Sequence, residues 1–159
     1  MAASTDMLRA WRAPRASIRS HLARGVSEPF AFSLLVVFLI LAFVGYWPVA
    51  ARETFLAQDP SVLPRMLARA LALLATIPFW YGLAALSRLL ARALGGQGTW
   101  YGARLALFWA LAVTGPLMLL LGLVEAMIGG GTQLTITRAV IGAAFLVIWL
   151  VMLHEVERS

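Results

Sequence analysis

Long apolar segments alternate along the chain with short polar segments that carry most of its charge. A helix rises 1.5 Å per residue, so about 20 residues cross the roughly 30 Å hydrocarbon core of a bilayer. The four longest apolar segments have about this length. The pattern therefore predicts an all-α fold, a polytopic transmembrane helical bundle with four spans, at about residues 29–51, 66–87, 104–125 and 133–153.

The segment before the first span is basic and has a different periodicity. Pro14 suits the first turn of a helix. Ile18 and Leu22 are spaced to share one face, and Arg15 and Arg19 are spaced to share another. This spacing predicts an N-terminal amphipathic surface helix whose arginines reach lipid phosphates. A basic tether with no specific ligand is the alternative interpretation.

The composition fits a membrane protein. Hydrophobic residues make up 62% of the 159 residues and charged residues 13%, whereas soluble domains average about 45–50% and 25%. The expected domains are a cytoplasmic segment at 1–28, a membrane domain at 29–153 and a short cytoplasmic tail at 154–159. Frequent Ala, Leu and Arg, with no Lys or Asn, favour a GC-rich bacterial genome.

The arginines indicate the orientation. The 13 basic residues are all arginine, and loops on the cytoplasmic side of a membrane are enriched in arginine and lysine. With a cytoplasmic N-terminus, four arginines fall outside, and nine fall inside: Arg9, Arg12, Arg15, Arg19, Arg24, Arg88, Arg92, Arg104 and Arg158. We therefore expect a multi-pass protein of the bacterial inner membrane with both termini in the cytoplasm.

The net charge of +6 does not indicate a nucleic-acid partner, because the arginines flank apolar segments and form no basic face on a soluble domain. The chain has no cysteine, which excludes disulfides and thiolate metal sites. His21 and His154 lack metal-ligand spacing. No catalytic residue, cofactor or metal is expected.

Glycine and proline mark the breaks. Gly95, Gly96 and Gly98 predict a helix end followed by a tight turn, because the lysine that a phosphate-binding loop requires is absent. Pro78 should kink the second span, and Gly115 with Pro116 should kink the third. Pro48 should end or kink the first span, and Asp59 with Pro60 indicates a turn after it.

Glu125 is the acidic residue closest to membrane depth. One interpretation is an ion pair at the outer boundary, with Arg138, Arg65 or Arg69 as its partner. The other is a proton or cation site that faces a cavity.

Several arginines around the cytoplasmic turns could contact lipid headgroups or the acidic tail of a partner: Arg15, Arg19, Arg88, Arg92 and Arg104. Small residues recur four positions apart at Ala106 and Ala110 in the third span, and at Ala139 and Ala143 in the fourth. Such pairs let another helix approach closely. The expected partners are therefore membrane lipids together with other membrane proteins or further copies of this chain.

The motif Gly95-Gly96-x-Gly98-Thr99-Trp100, followed by Arg104 and the Gly115-Pro116 break, resembles the core signature of bacterial Yip-type proteins (Ypt/Rab-interacting, the Yip-one domain). The opening Trp11-x-x-Pro14-Arg15 is similar too, and the resemblance spans roughly residues 9–155. It implies a polytopic helical membrane protein with a cytoplasmic N-terminus and no catalytic residues. Eukaryotic members bind small GTPases in vesicle traffic. Typical members have five spans, one more than this chain predicts.

The function expected from these observations is a non-catalytic interaction, accessory or scaffold subunit within the membrane. A small transporter or channel component is the first alternative, because the proline-kinked second and third spans could line a path with Glu125 at its outer mouth. An anionic-lipid-binding membrane organiser is the second, acting through Arg15, Arg19, Arg88 and Arg92.

Overall fold

The computed structural model of the protein describes residues 2–58 and 61–158, with side chains from residue 6 onward. These residues form helices and contain no strand, which confirms the all-α fold. The predicted turn at Asp59 and Pro60 lies outside the described residues. In chain order the helices are α1 (Ala2–Arg12), α2 (Pro14–Leu22), α3 (Glu28–Leu56), α4 (Leu63–Ala75), α5 (Ile77–Ala93), α6 (Trp100–Thr114), α7 (Pro116–Ile128) and α8 (Thr132–Arg158).

Three helical stretches of the described chain are long and apolar enough to cross a membrane: Glu28–Leu56, Leu63–Ala93 and Thr132–Arg158. The pair α6 and α7, bent by 45° at a short break, makes a fourth if it counts as one span. The helices extend beyond the apolar segments that predicted them. In particular, α3 runs through Pro48 to Leu56, so of the two outcomes expected at Pro48, an end or a kink, the end of the helix is wrong.

The centre of the bundle is α6, which is buried on every side. Thirteen of its 15 residues are buried, and α3, α5, α8 and the two N-terminal helices all pack against it. A helix that is apolar around its whole circumference belongs in an interior. The third span therefore begins inside the protein and faces little lipid until the bend.

The N-terminal helices complete the enclosure of α6. Ala10 in α1 and Ser17, Ile18 and His21 in α2 are buried, while Arg15 on the opposite face is exposed. The predicted helix therefore forms and keeps arginine on its outer face. Its other face is docked in the bundle, which differs from the expectation of a helix that only lies on the membrane surface.

The helices break at or near the residues that the sequence singled out. Pro116 opens α7, and because it has no N–H, the carbonyl of Ala112 accepts instead from the backbone of Gly115, at 3.3 Å. The hydroxyl of Thr114 donates to the Ala110 carbonyl, at 2.9 Å. In the second span the helix breaks at Thr76, two residues before Pro78. There the Thr76 hydroxyl donates to the Leu73 carbonyl at 2.6 Å, so each break has a local partner for its backbone.

The backbones of α3 and α7 approach each other closely at two glycines. A Cβ atom added at Gly45 would lie 2.5 Å from the carbonyl oxygen of Met118, and one added at Gly122 would overlap the carbonyl oxygen of Gly45. Only glycine lets the two backbones pack this closely. No local pattern in the sequence predicts this pair, because the two glycines lie in different segments of the chain.

We expect Gly122→Ala to lower the free energy of unfolding by about 1–3 kcal/mol, the range for overpacking a tight interior. The fraction of protein that stays monodisperse after heating in mild detergent measures the effect. Gly142→Ala in α8 is the matched control, because nothing lies within 4 Å of a Cβ added there. An equal response of the two variants would contradict the close contact.

Candidate functional site

A buried ion pair lies at one end of the bundle, where residues 94–99 meet the last turn of α8. We call this end the terminal end. Arg88 donates from Nη1 to Glu157 Oε2 at 2.9 Å, and the backbone N–H of Gly98 donates to the same oxygen at 3.0 Å. The two side chains are only 10% and 8% exposed. The N–H of Gln97 donates to the Glu157 carbonyl at 3.1 Å. The last turn of α8 is thus fixed against residues 95–98, the glycine loop.

The glycines of this loop have two separate roles. Gly95 has φ +87°, the left-handed conformation that ends a helix and favours glycine. Gly98 has no room for a side chain, because a Cβ would lie 2.8 Å from the Val156 carbonyl oxygen. Gly96 likewise faces the Glu157 carboxylate. The turn was predicted, but the approach of α8 was not.

Arg88 was predicted to contact lipid headgroups or the acidic tail of a partner, and this prediction is wrong. Its guanidinium instead forms an ion pair inside the protein, so it is not available to lipid headgroups. The residue expected in a free cytoplasmic tail, Glu157, is its partner. Arg104 also has an internal partner, since it donates to Glu28 at the start of α3. Arg15 and Arg92 are exposed.

A second polar contact ties the N-terminal helices to α6. The indole N–H of Trp109 donates to the hydroxyl of Ser17 at 2.9 Å, and both side chains are buried. The two residues are 92 positions apart, so their pairing leaves no local pattern. The available signal was the tryptophan inside a span, because a buried indole N–H usually needs an acceptor.

His21 lies beside this contact. Its ring is 4.5 Å from the Trp109 ring, edge-on, and 5.4 Å from the Phe30 ring, between centroids. Burial lowers the pKa of His21 below 6.5, and the nearby Arg24 guanidinium lowers it further, while Asp6 acts in the opposite direction. The neutral imidazole is therefore the form that docks.

The opposite end of the bundle, the far end, contains Glu125, the acidic residue that the sequence singled out. Arg138 Nη2 lies 2.9 Å from Glu125 Oε2, so the structure brings together the first of the partners considered for Glu125. A cavity of about 190 Å³ begins beside Arg138, and its walls include Trp80 and Thr114 next to the two breaks.

The chemistry of these sites is that of charge pairing and packing. No group of three or more metal-ligating side chains occurs in the part of the chain that the structure describes. Comparisons with protein-family models, curated proteins and solved structures found no match to this chain. Function is therefore argued from the geometry.

We expect Glu157→Ala to destabilise the fold by about 3–5 kcal/mol, because it leaves the Arg88 charge buried without a partner. Glu155→Ala is the control. Its pair with Arg19 spans 3.4 Å and leaves the arginine 62% exposed, so about 0–1 kcal/mol is expected. Apparent melting temperatures in detergent compare the variants. Equal losses would show that burial does not distinguish the two pairs.

Docking of the N-terminal helices should weaken as the pH falls. The pKa of His21 is lower when the helices are docked than when they are free, so the free form binds the extra proton. Docking is therefore at full strength above about pH 6.5 and loses up to about 1.4 kcal/mol per pH unit below it, until the docked pKa is reached. Hydrogen exchange of residues 2–22, corrected for intrinsic rates, measures this. His21→Phe keeps the ring and should remove the pH dependence; a dependence that persists would assign the effect to another group.

Proposed function

We propose that this protein is a non-catalytic subunit of a membrane assembly, and that it binds further membrane helices through the lipid-facing side of α8. The observation that carries the proposal is the position of Ala139 and Ala143. Both are exposed, whereas the residues that bury α8 against the bundle, among them Ile148 and Met152, lie on the opposite face.

A pair of small residues gains little from contact with lipid chains, because its side chains offer few atoms for packing. It gains more from a second helix, whose backbone can approach closely. The other small pair, Ala106 and Ala110, is fully buried in α6, against which other helices pack. Ala139 and Ala143 have the same spacing without a partner among the described residues.

The second span offers further contact surface. Over Leu63–Ala93, only 11% of the most apolar 18-residue window is buried within the bundle, and Met66 is the only buried residue of α4. Such a span is held by few contacts of its own. A neighbouring subunit on this side would complete its packing.

We further propose the bacterial inner membrane as the location, with both termini in the cytoplasm. The arginine distribution supports this orientation, since nine of 13 arginines flank the cytoplasmic side of the proposed topology. Membership of the Yip-type family is a proposal too. It is supported by the glycine loop, Trp100, Arg104 and the Gly115–Pro116 break, and by the helical architecture.

A transport role is less well supported by the geometry. Glu125 would have to act as a free ionisable group, but its carboxylate is paired with Arg138 at 2.9 Å. The neighbouring cavity of about 190 Å³ is lined almost wholly by apolar surface. A cavity of this kind offers an ion few replacements for its hydration shell.

If α8 binds a second helix through this surface, larger side chains at Ala139 and Ala143 should prevent the association. Ala139→Leu with Ala143→Leu should abolish co-purification of a partner subunit, or self-association, in mild detergent, because the added side chains hold the second helix away. Blue-native electrophoresis and mass spectrometry of the purified complex measure this. Ala72→Leu, an equally conservative change at an exposed position of α4, is the control. A monodisperse monomer already in the wild type would overturn the proposal.

A further inference from the structure

A cleft at the terminal end of the bundle separates the end of α5 from the end of α8. Ala91 and Leu94 line it on the α5 side, and Leu150, Leu153 and Arg158 line it on the α8 side. Its volume of about 470 Å³ falls within the roughly 300–1,000 Å³ of small-molecule sites. The cleft is therefore large enough for part of a lipid.

The wall on α8 changes from apolar to polar towards the end of the helix. Leu150 belongs to residues 139–153, which carry no charge, and His154 and Arg158 follow this segment. All three line the cleft, and their four-residue spacing places them on one face of α8, about 12 Å from first to last. Because α8 is a candidate span, this change coincides with the boundary between hydrocarbon chains and headgroups.

The two charged residues of the cleft differ in whether they have a partner. Glu157 lines the cleft, but its side chain is only 8% exposed and accepts from Arg88 and from the N–H of Gly98. Arg158 is exposed, and no side-chain carboxylate of the described residues forms an ion pair with it. The cleft therefore presents a guanidinium whose N–H groups can bind an anion.

We propose that this cleft binds one phosphate-bearing lipid, with the phosphate on Arg158 and an acyl chain against Leu150 and Leu153. The guanidinium binds phosphate oxygens through paired, charge-assisted hydrogen bonds. His154, one turn earlier on the same face, adds an imidazole N–H donor. The apolar walls hold the chain.

A lipid satisfies both parts of the cleft at once. A free phosphate ion would leave the leucines without an apolar neighbour, and a hydrocarbon without a headgroup would leave Arg158 without an anion. The site uses none of the five arginines that the sequence analysis assigned to headgroups or partners. It also lies apart from Ala139 and Ala143, which are in the first half of α8, so it can hold whether or not α8 binds a second helix.

Native mass spectrometry of the delipidated full-length protein, reloaded with phosphatidylglycerol or with diacylglycerol of the same chains, tests the site. Wild-type protein should retain one phosphatidylglycerol in preference to diacylglycerol, and it should not retain glycerol phosphate, which lacks the chains. Arg158→Gln should weaken phosphatidylglycerol binding about tenfold, a change of about 1.4 kcal/mol, and should leave diacylglycerol binding unchanged. Ala91→Phe should weaken binding of both lipids, because the ring fills the apolar part of the cleft.

Two matched variants control for charge and bulk. Arg92→Gln and Ala93→Phe change exposed residues at the same end of α5 that do not line the cleft, so neither should change lipid retention. The proposal is overturned if Arg158→Gln behaves like Arg92→Gln, or if Ala91→Phe retains lipid as Ala93→Phe does. Retention of glycerol phosphate as strong as that of phosphatidylglycerol would indicate a site for soluble anions and would overturn it. A wild-type protein that retains no phosphatidylglycerol, or a dimer mass in place of the lipid complex, would do the same.

Discussion

The enclosure of α6 is the constraint on which the rest of the bundle depends. Thirteen of its 15 residues are buried, and α1, α2, α3, α5 and α8 surround it. Lipid chains are as apolar as leucine, so burying this helix gains little from the hydrophobic effect alone. The surrounding helices must be held by close packing and by hydrogen bonds. The contacts between Ser17 and Trp109 and between Arg88 and Glu157, and the approach of Gly45 to Gly122, supply both.

Every acidic residue that the structure describes is paired with an arginine. Six ion pairs occur among the described residues, and together they engage each acid there: Asp6, Glu28, Glu53, Glu125, Glu155 and Glu157. Carboxylates therefore serve as partners for arginine, and none of these six is left as an unpaired acid or base. Because arginines outnumber acids, a surplus remains at the surface. Arg15, Arg69 and Arg92 belong to it, and no carboxylate of the described residues pairs with them.

The sequence predicted those features that have a local cause. Apolar length identified the spans, and Gly115 with Pro116 identified the 45° bend. The pairing of Arg88 with Glu157, 69 positions away, could not be predicted, because no local pattern records it. Periodicity also failed to show which side of each span faces the protein. In water a polar face marks the outside of a helix, but in lipid both sides are apolar.

The same reasoning explains why α8 can support a second interface. Its inward face carries large residues such as Ile148 and Trp149, which fill the space beside α6, while Ala139 and Ala143 lie on the outward face. If lipid were the only neighbour, selection for tight packing would act on the inward face alone. A small-residue pair outside adds nothing to that packing, and its spacing repeats that of the buried pair Ala106 and Ala110 in α6. The exposed pair Ala139 and Ala143, more than the hydrophobicity of α8, is therefore the physical basis for inferring a helical partner.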